Sequence, residues 1–248
     1  MYSPKRRFRL FRDPAFSPDE PFVNPDLTIG SAVTTVARSP FSGGGNSYNF
    51  TGATNSTNSY ISTPGSDDWA FGTGDFTVEW FSYQTNLNNP QFQRIYTVGD
   101  YNFSPPPPSI STGVSIEAGA FTYWRNGIFT QRSSASTANV WIHWAVVRIS
   151  GVTRLYRNGS QLGANITDTE NITDNTRNFI VGNTNTFASN AALVGDLTNF
   201  RLVKGLGVYT GNFTMPTSAL TATADANPYG GSNTEAIEEG FTKLLLVP

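Results

Sequence analysis

Between Ser47 and Val247, apolar and polar residues alternate in short runs with a period of two. Asp75–Phe81 has the alternation of a half-buried strand. Further strands are predicted over Arg94–Val98, Val114–Ala118, Ala120–Trp124, Thr153–Tyr156, Ser160–Leu162, Phe179–Val181, Leu193–Val203 and Lys243–Val247. Val140–Ile149 is the longest and most apolar run, so it is expected in the middle of a sheet. Asn126-Gly127 and Asn158-Gly159 each separate two such runs, which predicts tight hairpins. No useful window shows a 3.6-residue period, and Glu235–Gly240 has room for one helical turn at most. About ten strands with tight turns and no helices predict two packed sheets or a barrel.

Residues 1–28 have a different character. Pro4, Pro14, Pro18, Pro21 and Pro25 exclude a helix or a central strand. Lys5, Arg6, Arg7, Arg9 and Arg12 interleave with Tyr2, Phe8 and Phe11. Residues 1–28 are therefore read as an extended basic arm, and residues 29–248 as one sandwich domain. Pro105–Pro108 predicts a stiff polyproline loop at the sandwich edge, as a spacer or a docking loop.

The chain has 248 residues, of which 38% are hydrophobic and 14% charged. So low a charge content disfavours salt-bridged helices and charge-driven disorder. The net charge is −2, but the first twelve residues carry five basic groups and no acid. Removing those five leaves 11 basic against 18 acidic residues, a body of −7. There is no cysteine, which excludes disulfides and thiolate metal sites. No segment approaches the roughly 18 apolar residues of a membrane span, so no membrane partner is expected. Met1–Arg12 lacks the apolar run of a secretory leader, so either the route is different or a leader is not included. Sequons stand at Asn49, Asn55, Asn158, Asn165, Asn171 and Asn212, in a chain rich enough in Asn, Ser and Thr to produce several by chance.

Four blocks resemble the laminin-G-like branch of the concanavalin A-like lectin/glucanase superfamily. They are Asp75-Phe76-Thr77-Val78-Glu79-Trp80-Phe81, Trp141-Ile142-His143-Trp144-Ala145-Val146-Val147-Arg148, Thr153 to Gly159 (T-R-L-Y-R-N-G) and Gly195 to Leu202 (G-D-L-T-N-F-R-L). They occur in the family's order. Lys204-Gly205, Tyr209 to Thr217 and Thr242 to Leu246 resemble a closing block found in structural proteins of tailed, especially marine, phages and related viruses. The resemblance covers about residues 47–247. It implies an all-β, two-sheet antiparallel β-sandwich of the concanavalin A-like jelly-roll type, with the N-terminal arm extended from it. It says little about ligand, because the fold carries many functions.

The candidate chemistry is sparse. His143 is the only histidine and is read as structural, since a catalytic or metal histidine needs partners. Superfamily glucanases place several acids on one strand, whereas Glu79 stands alone in its strand and Glu238-Glu239 are adjacent. The chain is therefore expected not to be an enzyme, with a hydrolase kept only as the alternative class. No cofactor is expected except calcium, which many relatives bind with oxygen ligands. Here Thr51 and Thr198-Asn199 stand where relatives carry acids, which leaves Asp196, Asp75 and Asn199 as the candidate ligands. Tyr123, Trp124 and Trp80 could form a sugar-stacking platform, although a core role is favoured for them. Lys5, Arg6, Arg7, Phe8, Arg9, Phe11 and Arg12 are read as an anchor to an acidic partner surface rather than a nucleic-acid site. The expected function is a virion structural protein, a capsid decoration or a tail or fibre component. It would be exposed on the particle, contact other virion proteins and assemble as a homo-oligomer. The alternative is a lectin module for host-surface glycans.

Overall fold

Sixteen strands are formed among the described residues of the computed structural model, which are 22–51, 57–88, 92–99, 110–133, 135–184, 191–227 and 235–248. One sheet has seven strands in the order β1 (Thr28–Ile29), β4 (Ile61–Thr63), β14 (Phe179–Val181), β6 (Phe92–Val98), β7 (Thr112–Glu117), β8 (Ala120–Arg125) and β9 (Ile128–Arg132). The other has β12 (Ser160–Gln161), β11 (Val152–Arg157), β10 (Trp141–Ile149), β5 (Phe76–Gln84), β15 (Val194–Lys204), β3 (Ser47–Thr51) and β2 (Val33–Val36) in that order. β13 (Ile166–Thr167) pairs with β11, and β16 (Thr242–Leu246) with β15. All pairings are antiparallel, so the fold is the expected two-sheet sandwich.

Alternation puts Phe76, Val78 and Trp80 of β5 and Ile142, Trp144 and Val146 of β10 between the sheets. The Trp80 ring lies among Phe121, Tyr96 and Phe200, with centroids 6.1–6.2 Å away. β10 runs between β11 and β5, which accounts for its length and apolarity. Both Asn-Gly pairs turn hairpins with positive φ at both residues: 41° and 76° at Asn126-Gly127, 50° and 78° at Asn158-Gly159.

β15 carries a bulge. Thr198 faces Phe81 and Arg201 faces Glu79, so one extra residue is inserted on β15. Asn199 takes φ 52° there, and its side-chain oxygen accepts from the Leu220 amide at 2.7 Å. The bulge resets the alternation so that Leu197 and Phe200 both point into the core while Arg201 points outward.

The outward face of the nine-stranded sheet is not left to solvent. Residues 205–227 and 235–241 strap across it, and Val208, Tyr209, Phe213 and Ile237 pack on Ala145, Val147, Tyr156 and Val203. The strap crosses the Asn158-Gly159 turn so closely that a Cβ on Gly159 would lie 2.0 Å from the Phe213 carbonyl oxygen. β10 is thus buried on both faces. The helical turn considered for Glu235–Gly240 is not formed; Ile237 makes a β-bridge to Ala224 instead. A 3-10 turn at Asp67–Trp69 interrupts the otherwise all-β chain. The strands beyond the ten expected include the two- to four-residue β1, β2, β4 and β13, too short for alternation to reveal. Asn24 bonds both the amide and the carbonyl of Leu245, which lays the approach to β1 along β16. The arm residues before Phe22 and the Pro105–Pro108 loop lie outside the described residues.

Candidate binding surface and buried charge network

Glu79 sits at the centre of the outward face of β5, beneath the strap and fully buried. Arg201, its cross-strand partner, donates Nε to Oε1 at 2.9 Å and also Nη2 to the same oxygen. Tyr209, on the strap, donates its hydroxyl to Oε2 at 2.6 Å, and His143 Nε2 lies 3.1 Å from Oε2. Arg201 Nη1 goes on to the Thr221 carbonyl at 2.8 Å. Burial by itself raises the Glu79 pKa, but the Arg201 charge and the His143 and Tyr209 bonds overcome it and hold the carboxyl at about 2. Glu79 is therefore an ionised latch between sheet and strap, with both oxygens committed. His143 is the structural histidine expected. Glu238 and Glu239 are exposed around the turn that leads into β16.

A second buried acid ties the sheets together at one end. Asp168 Oδ2 accepts from Tyr123 Oη at 2.9 Å and Thr153 Oγ1 at 2.6 Å. Arg125 and Arg148 approach Oδ1 at 3.6 and 3.7 Å. Burial, with Asp168 next to it, pushes the Tyr123 hydroxyl pKa far up, so it serves as a permanent donor.

The three candidate calcium ligands are not brought together. Asp75 precedes β5, whereas Asp196 pairs with Tyr83 near the other end of that strand, eight residues and about 26 Å away at strand rise. Asp196 is saturated by Arg38 at 2.7 Å and by the Asn49 amide. Asp75 Oδ1 caps the Ser150 amide, and Asn199 is consumed by the bulge. These residues do not fit one calcium ion. Among the described residues, no group of three acidic or histidine side chains could hold a metal.

The aromatic platform also divides. Trp80 and Tyr123 are wholly buried between the sheets. Trp124 is on the opposite face of β8 and points away from the core, 5% exposed. There it meets Phe129, its cross-strand partner on β9, at 5.0 Å, and Phe129 is 57% exposed. Alongside runs a polar row in direct register: Arg94, Ser115, Thr122 and Gln131. Glu117 gathers this row, accepting from Arg94 at 3.0 Å, Ser115 at 2.7 Å and Gln131 at 3.3 Å. Trp124 Nε1 donates to Ser115 Oγ at 3.2 Å. Arg94, Ser115 and Thr122 are themselves buried, so the outer face of the seven-stranded sheet presents the exposed Phe129 ring with the exposed Gln131 amide and the part-exposed Glu117 carboxylate beside it. Phe129, Gln131, Arg94 and Glu117 escaped the sequence reading. The Asn-Gly turn fixes Trp124 opposite Phe129 and was the available pointer.

A two-sheet jelly roll with a laminin-G-like strand order defines a concanavalin A-like protein. A laminin-G-type family profile, described as the concanavalin A-like lectin/glucanases superfamily, matches residues 55–206, and the chain belongs to that family. No curated protein sequence matches it. Among solved structures, the fold is similar to the binding domain of Paraclostridial Mosquitocidal Protein 1. That match has 16% identity and TM-score 0.53, covering 74% of this chain and 45% of that one. It is also similar to domain 4 of AbnA, a GH43 extracellular arabinanase of Geobacillus stearothermophilus in complex with arabinotriose. There the identity is 14% and the TM-score 0.52, covering 71% of this chain and 77% of that one. A third is Trypanosoma rangeli sialidase, at 13% identity and TM-score 0.50, of whose chain the match covers 28%. At such identities these likenesses show the shared fold.

Proposed function

We propose that the chain is a non-enzymatic binding module for saccharides, displayed on the surface of a virion. One observation carries the saccharide reading: the exposed Phe129 ring stands beside the exposed Gln131 and the part-exposed Glu117 on a single sheet face. A sugar stacks its C–H face on an aromatic ring and spends its hydroxyls on flanking amides and carboxylates. The buried acids Glu79, Asp168 and Asp196 are held by arginines and are not disposed as an acid–base pair across a cleft. The arabinotriose complex of AbnA domain 4 supports the same ligand class for this architecture.

The virion setting rests on the phage-like closing block. That block, Lys204–Thr217 with Thr242–Leu246, is the part of the chain that forms the start of the strap and β16. In this reading Lys5, Arg6, Arg7, Phe8, Arg9, Phe11 and Arg12 of the arm fasten the module to neighbouring virion proteins, and copies assemble symmetrically. Screening wild type and Phe129→Ala on a glycan array tests the first element. Binding to a defined glycan that the substitution removes supports it, and an array without signal contradicts it. Deleting residues 1–12 should abolish incorporation into particles while leaving glycan binding intact; incorporation unaffected by the deletion contradicts the anchor.

A further inference from the structure

The strap covers the outer face of the nine-stranded sheet only in part. It ends over the Phe81–His143 row, where Phe213 lies 5.7 Å from His143. On the other side of that row Phe41 packs on Phe81 at 5.2 Å. Among the described residues the strap does not reach the next row, where Thr34 is exposed and Asn49, Tyr83 and Trp141 are part-exposed. Thr34, Asn49, Asp196, Tyr83 and Trp141 stand in direct register across β2, β3, β15, β5 and β10. Directly opposed residues in antiparallel strands share a face, so these five side chains form one line.

The line has the make-up of a site. The rings of Tyr83 and Trp141 are part-exposed and lie 5.6 Å apart, tilted by 58°. The Arg38 guanidinium lies 4.7 Å above the Tyr83 ring, and its side chain is 46% exposed. Arg38 Nη1 and the Asn49 amide both bond to Asp196, which forms a fully buried floor. That carboxylate orients the guanidinium and leaves its Nε and Nη2 available. Among the described residues, the Trp141 indole N–H and the Tyr83 hydroxyl likewise make no hydrogen bond. Three donors therefore belong to one row of two rings and a guanidinium, while the Asp196 carboxylate beside them is already satisfied and the Arg38–Asp196 pair is neutral overall.

We infer that this row is a second saccharide-binding position, on the sheet opposite Phe129, and that it takes a neutral sugar ring. The pyranose stacks on Trp141, and its hydroxyl and ring oxygens accept from Trp141 Nε1, Tyr83 Oη and Arg38 Nη2. An acidic ligand would find a guanidinium already neutralised by Asp196, and a cation would find no free carboxylate. With a site on each sheet, one copy can bridge two glycan chains. The inference takes its ligand class from the function proposed above but uses none of the same residues.

The two surfaces separate in one experiment. In 15N-labelled full-length protein, the indole N–H resonances report Trp141 and Trp124 individually, while those of buried Trp80 and Trp144 report the fold. Titrating with lactose, maltose, cellobiose and arabinotriose at millimolar concentration should move the Trp141 resonance with at least one of them. Trp141→Ala and Arg38→Ala should each weaken that ligand at least tenfold. Where Trp141→Ala loses the native resonances of Trp80 and Trp144, Tyr83→Phe and Arg38→Ala read the same site. A Trp141 resonance unmoved by all four sugars overturns the inference, and a response at Trp124 alone does so while leaving the first site standing. Movement of Trp141 on concentrating the protein without sugar, as from self-association through this face, overturns it too.

Discussion

Replacing Glu79 with Gln removes one negative charge from the junction of sheet and strap at almost constant volume. The Arg201 guanidinium, 2% exposed, then loses its counter-ion without gaining water. Two routes give the cost. Removing one member of a buried ion pair costs about 3–5 kcal/mol. Independently, the fall of the Glu79 pKa from its ordinary 4.5 to about 2 corresponds to about 3 kcal/mol of folded-state preference for the carboxylate. A folded-state pKa below the unfolded one stabilises at pH above 4.5, and that contribution disappears as the pH falls through 2. Urea unfolding at pH 7 should therefore show Glu79→Gln about 3 kcal/mol less stable at unchanged m-value, with a melting temperature lowered by roughly 6–12 °C. Between pH 4.5 and 2 the difference from wild type should shrink towards zero. A loss below about 1 kcal/mol, or one of equal size at pH 7 and pH 2, would refute the latch.

Three other outcomes follow from the same geometry. Asp168→Ala strips Arg125 and Arg148 of their shared carboxylate and should cost about 3 kcal/mol in urea unfolding, far more than an exposed Asp67→Ala. Gly159→Ala combines a φ of 78° with a collision against the Phe213 carbonyl, so it should lose about 2–3 kcal/mol and expose the strap to limited proteolysis. Because Asp196, Asp75 and Asn199 do not converge, adding calcium or a chelator should leave the melting temperature within about 1 °C, and a calcium-dependent rise of several degrees would contradict that reading.

The sequence displayed what depends on neighbours along the chain. The alternation in β5 and β10 and the two Asn-Gly turns predicted strands and hairpins where they stand, because period and turn chemistry are local. The family blocks supplied the two-sheet jelly roll but not the order of strands within each sheet. What stayed hidden depends on pairing across distance. Glu79 read as a solitary acid because Arg201 is 122 residues away and Tyr209 is 130 away. The Asn199 bulge turns Arg201 towards Glu79, and no alternation pattern foretells a phase reset inside a strand. The strap, residues 205–227 and 235–241, carries no period, so the second hydrophobic layer was invisible. Trp80, Tyr123 and Trp124 lie close in the sequence pattern of aromatics, but strand pleat sends Trp124 outward and the other two into the core. Asp196 looked like a metal ligand until Arg38 was placed beside it.

The central claim is that the exposed Phe129 ring, with Gln131 and Glu117 beside it on the seven-stranded sheet, holds sugar without cleaving it. Titration calorimetry on the best array glycan, followed by chromatography of the same mixture after prolonged incubation, measures binding and turnover together. The account predicts saturable binding weakened about tenfold or more by Phe129→Ala, about 1.4 kcal/mol, with the glycan recovered intact. Cleaved products, or binding that Phe129→Ala does not alter, would contradict it.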